Sequence, residues 1–77
     1  MVLSRWWMRV ICIDDVLSLF TEHEQAFVRY DLETAWDDSE AFTVEVGVPL
    51  KEAPYMMVLE VTVDSVNELV TIERSRA

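Results

Sequence analysis

Apolar and polar residues alternate along several short stretches of the chain, and this pattern predicts a protein built mainly of β-strands. The clearest alternation covers residues 55–64. A second covers residues 41–46, and we expect Gly47 and Pro49 to end that strand. Residues 5–13 are apolar on both strand faces, which predicts a central strand covered on both sides, or covered on one side with an interface on the other.

A helical segment is predicted to follow the first strand. Asp14 or Asp15 is suited to cap it, because a carboxylate at that position accepts hydrogen bonds from free backbone N–H groups. Residues then recur at helical spacing: Val16, Leu19, Phe20 and His23. Continuation of this helix to about residue 30 competes with a strand over residues 26–33, where apolar and polar residues alternate. The strict alternation leads us to predict the strand.

Residues 34–39 are predicted to form a loop, and the segment 64–77 has two interpretations. Ser65 to Glu68 fits a helix capping box, whereas the β-branched residues at 70–72 favour a final strand. The predicted fold is a single small α+β domain spanning residues 1–77. Its sheet is mostly antiparallel, with four to five strands and one or two helices packed on one face.

The composition predicts that the chain associates with itself. Of its 77 residues 52% are hydrophobic, and a domain of this size cannot bury so much apolar surface alone. Cys12 is the only cysteine and His23 the only histidine, which excludes an internal disulfide and a typical zinc site within one chain. A partner subunit remains as a route to stability, and we expect a homo-oligomer, most simply a two-fold dimer. A tightly packed monomer is the alternative.

Acidic residues are concentrated in one part of the chain. From Asp14 to Glu45 there are ten acidic residues and one basic residue, Arg29; the difference of nine equals the whole formal charge of -9. Such a field attracts basic surfaces and repels nucleic acid and anionic membranes. We therefore expect a basic protein partner, with no direct binding of nucleic acid or membrane.

Five of these acidic residues are the candidate partner-binding set: Asp31, Glu33, Asp37, Asp38 and Glu40. On the predicted strand Asp31 and Glu33 share one face about 6.6 Å apart, and across a tight hairpin they could meet Glu45. Because like charges so placed cost stability, a basic partner would relieve them. One form of this function imitates the phosphate field of nucleic acid. The alternative is that the charge only keeps an apolar oligomer in solution.

Trp6 and Trp7 are the candidate apolar anchors of a protein interface. Adjacent residues of a strand face opposite sides, so one could enter the core while the other meets a partner. Arg5 and Arg9 flank them, a combination that also occurs in single-strand nucleic-acid binding. The negative field of the chain opposes that second interpretation.

The sequence contains no catalytic signature. The carboxylate pairs match no calcium loop, no nucleophile lies near His23, and Cys12 is expected to be a small core residue. We expect no cofactor, no metal and no enzymatic activity. The lone thiol and the lack of an evident targeting segment suit a reducing cytoplasm.

The favoured function is a non-enzymatic interaction module: an inhibitor, an antitoxin-like factor or an adaptor. In composition alone, the chain resembles small acidic single-domain proteins of microbes and their viruses that act by binding other proteins. The alternative is a small-molecule-binding or enzymatic subunit whose site forms between copies, with His23, Glu22 and Tyr30 supplying polar groups. A structural component of a larger assembly is a third possibility.

Overall fold

The computed structural model describes residues 2–9, 11–52 and 54–76. Six elements follow one another: β1 (Val2–Trp7), α1 (Ile13–Leu17), α2 (Glu22–Ala35), β2 (Phe42–Pro49), β3 (Met56–Asp64) and β4 (Leu69–Arg76). The strands form one antiparallel sheet in the order β1-β4-β3-β2. The predicted α+β fold is confirmed, and within the predicted range of four to five strands and one or two helices the structure has four strands and two helices.

One face of the sheet forms the core with the helices. Side chains that alternate along β2, β3 and β4 point toward the helices, which cover them with residues of α1, α2 and the connection between them. The fully buried members of this core include Val16, Val28, Leu32, Leu59, Val61, Val63, Val70 and Ile72. Each large side chain buried in this way contributes roughly 1.5–3 kcal/mol of transfer free energy.

The predicted strand over residues 26–33 is wrong, because these residues belong to helix α2. Val28 and Leu32 are buried together with Glu24, and the spacing of four residues is that of one helix face. Ala26 and Tyr30, which the alternating pattern placed with them, are exposed. The alternating pattern over residues 26–33 was therefore misleading, because only two apolar residues of this helix, Val28 and Leu32, are buried in the core.

The first strand is also shorter than predicted and occupies an edge rather than the centre. It ends at Trp7 instead of residue 13; Val10, part of that prediction, lies outside the described residues. Ile11 is buried in the core from the connection itself, so its hydrophobicity required no strand. Helix α1 then begins after Cys12, which occupies the cap position in place of Asp14 or Asp15 and is exposed rather than a core residue.

The remaining strands follow the predictions closely. Strand β2 begins at Phe42 and passes through Gly47. It ends at Pro49, three residues later than predicted. Pro49 is tolerated because it is the last residue of an edge strand. In the C-terminal segment the strand interpretation is correct and Ser65 to Glu68 form a turn, not a capping box. The loop predicted at 34–39 is displaced, since the first two of its residues complete α2.

Candidate functional site

The structure separates the acidic residues that the sequence grouped together. Asp31 and Glu33 lie on α2, where residues two positions apart point in different directions. Glu33 is exposed and lies 3.8 Å from the Arg29 guanidinium, so part of its charge is matched within the helix. Glu45 is on β2, and no hairpin joins it to these two residues.

The other three candidate acids lie in the loop between α2 and β2. Asp37 Oδ1 accepts hydrogen bonds from the Ser39 N–H at 2.8 Å, the Ser39 hydroxyl at 2.7 Å and the Glu40 N–H at 3.3 Å. The bonds from Ser39 lower the pKa of Asp37 below its usual value. Asp38 Oδ1 accepts from the Trp36 indole N–H at 2.8 Å. Two of these carboxylates therefore order their own loop.

Trp6 and Trp7 lie on opposite faces of the edge strand β1. Trp6 faces the helix side, in the same cross-strand row as Val70, whereas Trp7 points to the other side with Leu69. Both are exposed. Because that row ends three strands away at Phe42, the tryptophans and the acidic loop lie at one end of the sheet but about 14 Å apart.

The outer face of the sheet, opposite the helices, carries no buried side chain among the described residues. It is formed by the alternate residues of each strand, and the strand register aligns them in rows. Glu45 pairs with Glu60, and Glu60 pairs with Glu73. These three residues, which we call the glutamate row, cross the three strands β2, β3 and β4 in one line.

Polar side chains continue beside the glutamate row on this face. A threonine row, consisting of Thr43, Thr62 and Thr71, runs beside the glutamate row. The Thr43 and Thr62 hydroxyl oxygens are 2.9 Å apart and hydrogen-bonded. The charged side chains of the face are four acidic residues and one basic residue, a net charge of -3: Glu45, Glu60, Asp64, Glu73 and Arg5.

Sequence reasoning missed the glutamate row because its members are far apart along the chain. Glu60 and Glu73 fall in the part of the chain whose charges balance, so the charge pattern gave them no weight. Each of them does occupy the polar position of an alternating strand. That signal places the side chains on the outer face, but the register that aligns them is set by turn geometry and packing in the folded chain.

The residues suggested for a small-molecule site do not converge. His23 Nε2 is 2.7 Å from the Pro49 carbonyl oxygen, and its ring meets Phe27 edge to face at 5.4 Å. Tyr30 and Glu22 are exposed on α2. A shallow groove of about 400 Å³ lies elsewhere, on the helix-facing side of the sheet, and is lined by Val2, Met57, Arg74, Ser75 and Arg76.

Comparison of the chain with protein-family models, with curated proteins and with solved structures finds no match. The described residues contain no group of three or more histidine, cysteine or acidic side chains arranged to hold a metal ion. Within the same residues, neither helix has the length and apolarity that crossing a membrane requires. We take the glutamate row on the outer face as the candidate functional site, because the strand register aligns three carboxylates there.

Proposed function

We propose that this protein is a non-enzymatic interaction module that binds a basic partner protein on the outer face of its sheet. The observation that carries the proposal is the glutamate row: Glu45, Glu60 and Glu73 aligned directly across three strands. Charge complementarity of this kind selects the partner and accelerates encounter. Arginine is the best-suited partner residue, because its planar guanidinium binds a carboxylate through two hydrogen bonds.

The row is costly for the fold, which supports a role beyond solubility. Like charges directly opposite each other in an antiparallel sheet are destabilising. Acidic residues on loops would keep the chain in solution without that cost. In the adjacent threonine row, by contrast, the Thr43 and Thr62 hydroxyls attract each other through a hydrogen bond across the strands. A basic partner that lies on the row would convert its repulsion into binding energy.

The neighbouring side chains fit the same role. Threonine hydroxyls donate and accept hydrogen bonds to a partner backbone or side chain. Trp7 is the most exposed apolar residue at the edge of this face, with 73% of its surface accessible, and tryptophan is a frequent anchor of protein interfaces. Inhibition of a basic protein, by occupying the surface that it uses for nucleic acid, is the form of this function that the charge favours.

Affinity capture with three matched baits tests the proposal. The baits are the unchanged protein, the variant Glu45→Gln/Glu60→Gln/Glu73→Gln, and the control Glu22→Gln/Glu40→Gln/Glu52→Gln. Both variants lose three charges from exposed or partly exposed positions, so they differ only in where the charge is removed. We expect a basic protein from the source organism to be captured by the unchanged protein and the control, and at least about tenfold less by the glutamate-row variant. Equal capture by all three baits would refute the role of the row.

A further inference from the structure

Strand β1 leaves one edge of the sheet open and apolar. Among the described residues, four of the nine exposed large apolar side chains are on this strand: Val2, Leu3, Trp6 and Trp7. An edge with unpaired backbone groups and apolar side chains is a template for pairing with another strand. Natural proteins usually protect such an edge with proline or charge, and β1 has no proline and one charged residue, Arg5.

The backbone groups that face this open edge follow from the hydrogen bonding on the other side. The Met8 N–H donates to the Glu68 carbonyl at 2.9 Å, which continues the β1–β4 register. Residues that bond to a given neighbour alternate along an antiparallel strand, so the even-numbered residues of β1 face β4. The N–H and C=O groups of Leu3, Arg5 and Trp7 therefore face outward.

The opposite edge of the sheet is less available. Strand β2 ends in Pro49, which has no N–H to donate. The carbonyl of Pro49 is 2.7 Å from His23 Nε2, and helix α2 packs against the same strand. Of the two edges, β1 is therefore the one built to pair.

We propose that two copies of this chain pair through β1 in antiparallel orientation, around a two-fold axis at Ser4, to form a continuous eight-stranded sheet. Two identical strands that pair antiparallel are related by an axis perpendicular to the sheet, which keeps both helix layers on one side. Each residue then opposes a residue of the same strand face. The axis must therefore pass beside a single residue of β1 that faces itself.

Side-chain chemistry selects Ser4 as that residue. With the axis there, Val2 opposes Trp6 of the second copy, Leu3 opposes Arg5 of the second copy, and the two Ser4 residues face each other. An axis at Arg5 would oppose two guanidinium groups, which destabilises a sheet. An axis at Leu3 or Trp6 would pair only three residues of β1 in each copy, and an axis at Val2 or Trp7 only one. The Ser4 register pairs five and opposes no like charges.

Charge also favours a second copy at this edge. Residues 2–9 include two basic residues, Arg5 and Arg9, and no acidic residue. The whole chain, by contrast, has a net charge of -9. Two copies that meet here keep their acidic residues away from the contact, so those residues repel one another less. Their two glutamate rows would then lie on one face of the joined sheet.

The groove beside β1 supplies a place for the tryptophan. Val2, Met57 and Arg74 line it on the helix-facing side of the sheet, the side to which Trp6 also points. In the Ser4 register, Trp6 of the second copy lies directly beside Val2. Its indole is thereby placed against the groove that Val2 lines. Each copy thus completes the groove of the other.

A cysteine at the axis tests the register. In a Cys12→Ser background, Ser4→Cys places two thiols at a non-hydrogen-bonded pair, where the Cα atoms are about 4.5 Å apart and within disulfide range. We expect mild oxidation to give a disulfide-linked dimer from Ser4→Cys much faster than from the exposed control Ser18→Cys. Faster linkage of Leu3→Cys or Arg5→Cys would overturn the Ser4 register, and linkage no faster than the control would overturn the pairing.

A charge change tests the association without a new covalent bond. Leu3→Arg faces Glu73 within its own chain, so the fold tolerates it, but faces Arg5 of the second copy across the interface. By sedimentation we expect the unchanged protein to be a dimer and Leu3→Arg to dissociate about tenfold more readily, with Leu3→Arg/Arg5→Glu restoring the dimer. An unchanged protein that sediments as a 9.0 kDa species at tens of micromolar would overturn the proposal.

Discussion

Glu24 on α2 and Arg74 on β4 form a two-point ion pair that fixes the helix over the sheet. Arg74 Nε donates to Glu24 Oε2 at 2.9 Å, and Arg74 Nη2 donates to Oε1 at 3.1 Å. Oε1 also accepts the Thr21 backbone N–H at 2.9 Å, while the Thr21 hydroxyl accepts the Glu24 N–H at 3.1 Å. One buried carboxylate therefore both begins the helix and joins it to the sheet.

Removal of the cation from this pair should be costly. Arg74→Met leaves Glu24 buried without its partner, and we expect the free energy of unfolding to fall by about 3 kcal/mol. The matched control is Arg29→Met, which breaks the exposed pair with Glu33 at 3.8 Å and should cost no more than about 0.5 kcal/mol. Urea unfolding followed by circular dichroism measures both. Equal losses in the two variants would show that the buried pair contributes no more to the free energy of unfolding than the exposed pair does.

The same pair predicts how stability depends on pH. Burial alone would raise the pKa of Glu24, but hydrogen bonds from Arg74 and Thr21 outweigh it, so the pKa is lowered below the usual 4.5. A carboxylate whose pKa is lower in the folded state stabilises the fold above its unfolded pKa, and that stability is lost as the pH falls through the folded pKa. We therefore expect acid destabilisation to begin near pH 4.5 and continue below it.

Glu24→Gln separates this contribution from the other acidic residues. The variant should be less stable at neutral pH and should lose less stability than the unchanged protein when the pH is lowered below 4.5. Asp37 and Asp64 also have lowered pKa values, so they retain their part of the acid dependence in the variant. Thermal unfolding across this pH range measures the difference, and parallel curves for the two proteins would exclude a role for Glu24.

The capping box at the start of α2 gives a further prediction. Thr21→Ala removes the hydroxyl that accepts the Glu24 N–H, and we expect a loss of about 1 kcal/mol in unfolding free energy. Thr34→Ala is the control within the same helix, because its hydroxyl donates to the Tyr30 carbonyl, which is already in the helix ladder. It should change stability by less than about 0.5 kcal/mol. A larger loss in the control would contradict the capping assignment.

The glutamate row should be a measurable burden on the isolated protein. Glu60→Thr removes the central charge, which faces both Glu45 and Glu73, and should stabilise the fold by about 0.5–1 kcal/mol. The gain should shrink as salt is added, because salt screens the repulsion. Glu52→Thr, in an exposed loop, is the control and should show no comparable gain. Urea unfolding at low and high salt provides the comparison. If Glu60→Thr destabilised the fold at low salt, repulsion within the glutamate row would not be a cost to the fold.

Much of the sheet could be predicted because its strands have one buried face. In β3, Leu59, Val61 and Val63 alternate with polar residues and are fully buried, so the period-two pattern directly reports the structure. The helix α2 was missed for the opposite reason. Its apolar residues are few, and their accidental alternation outweighed the Thr21–Glu24 spacing, which is a capping-box signal that the sequence does contain.

The candidate site could be predicted only in its chemistry. The excess of acidic residues predicted a basic partner and placed its site at residues 31–40, where Asp37 and Asp38 accept hydrogen bonds within their own loop. Alignment of Glu45, Glu60 and Glu73 depends on the register of three strands, which arises from turn geometry and packing. Sequence proximity carries no information about it.

An NMR titration of the ¹⁵N-labelled protein with a hexa-arginine peptide tests whether the glutamate row is the surface that binds a basic partner. We predict saturable shifts that are largest at the amides of Glu45, Glu60 and Glu73, and that are lost in the triple glutamine variant of this row but kept in the control Glu22→Gln/Glu40→Gln/Glu52→Gln. Shifts that are largest at residues 37–40, or that are spread evenly over all acidic surfaces, would show that the glutamate row is not the binding surface.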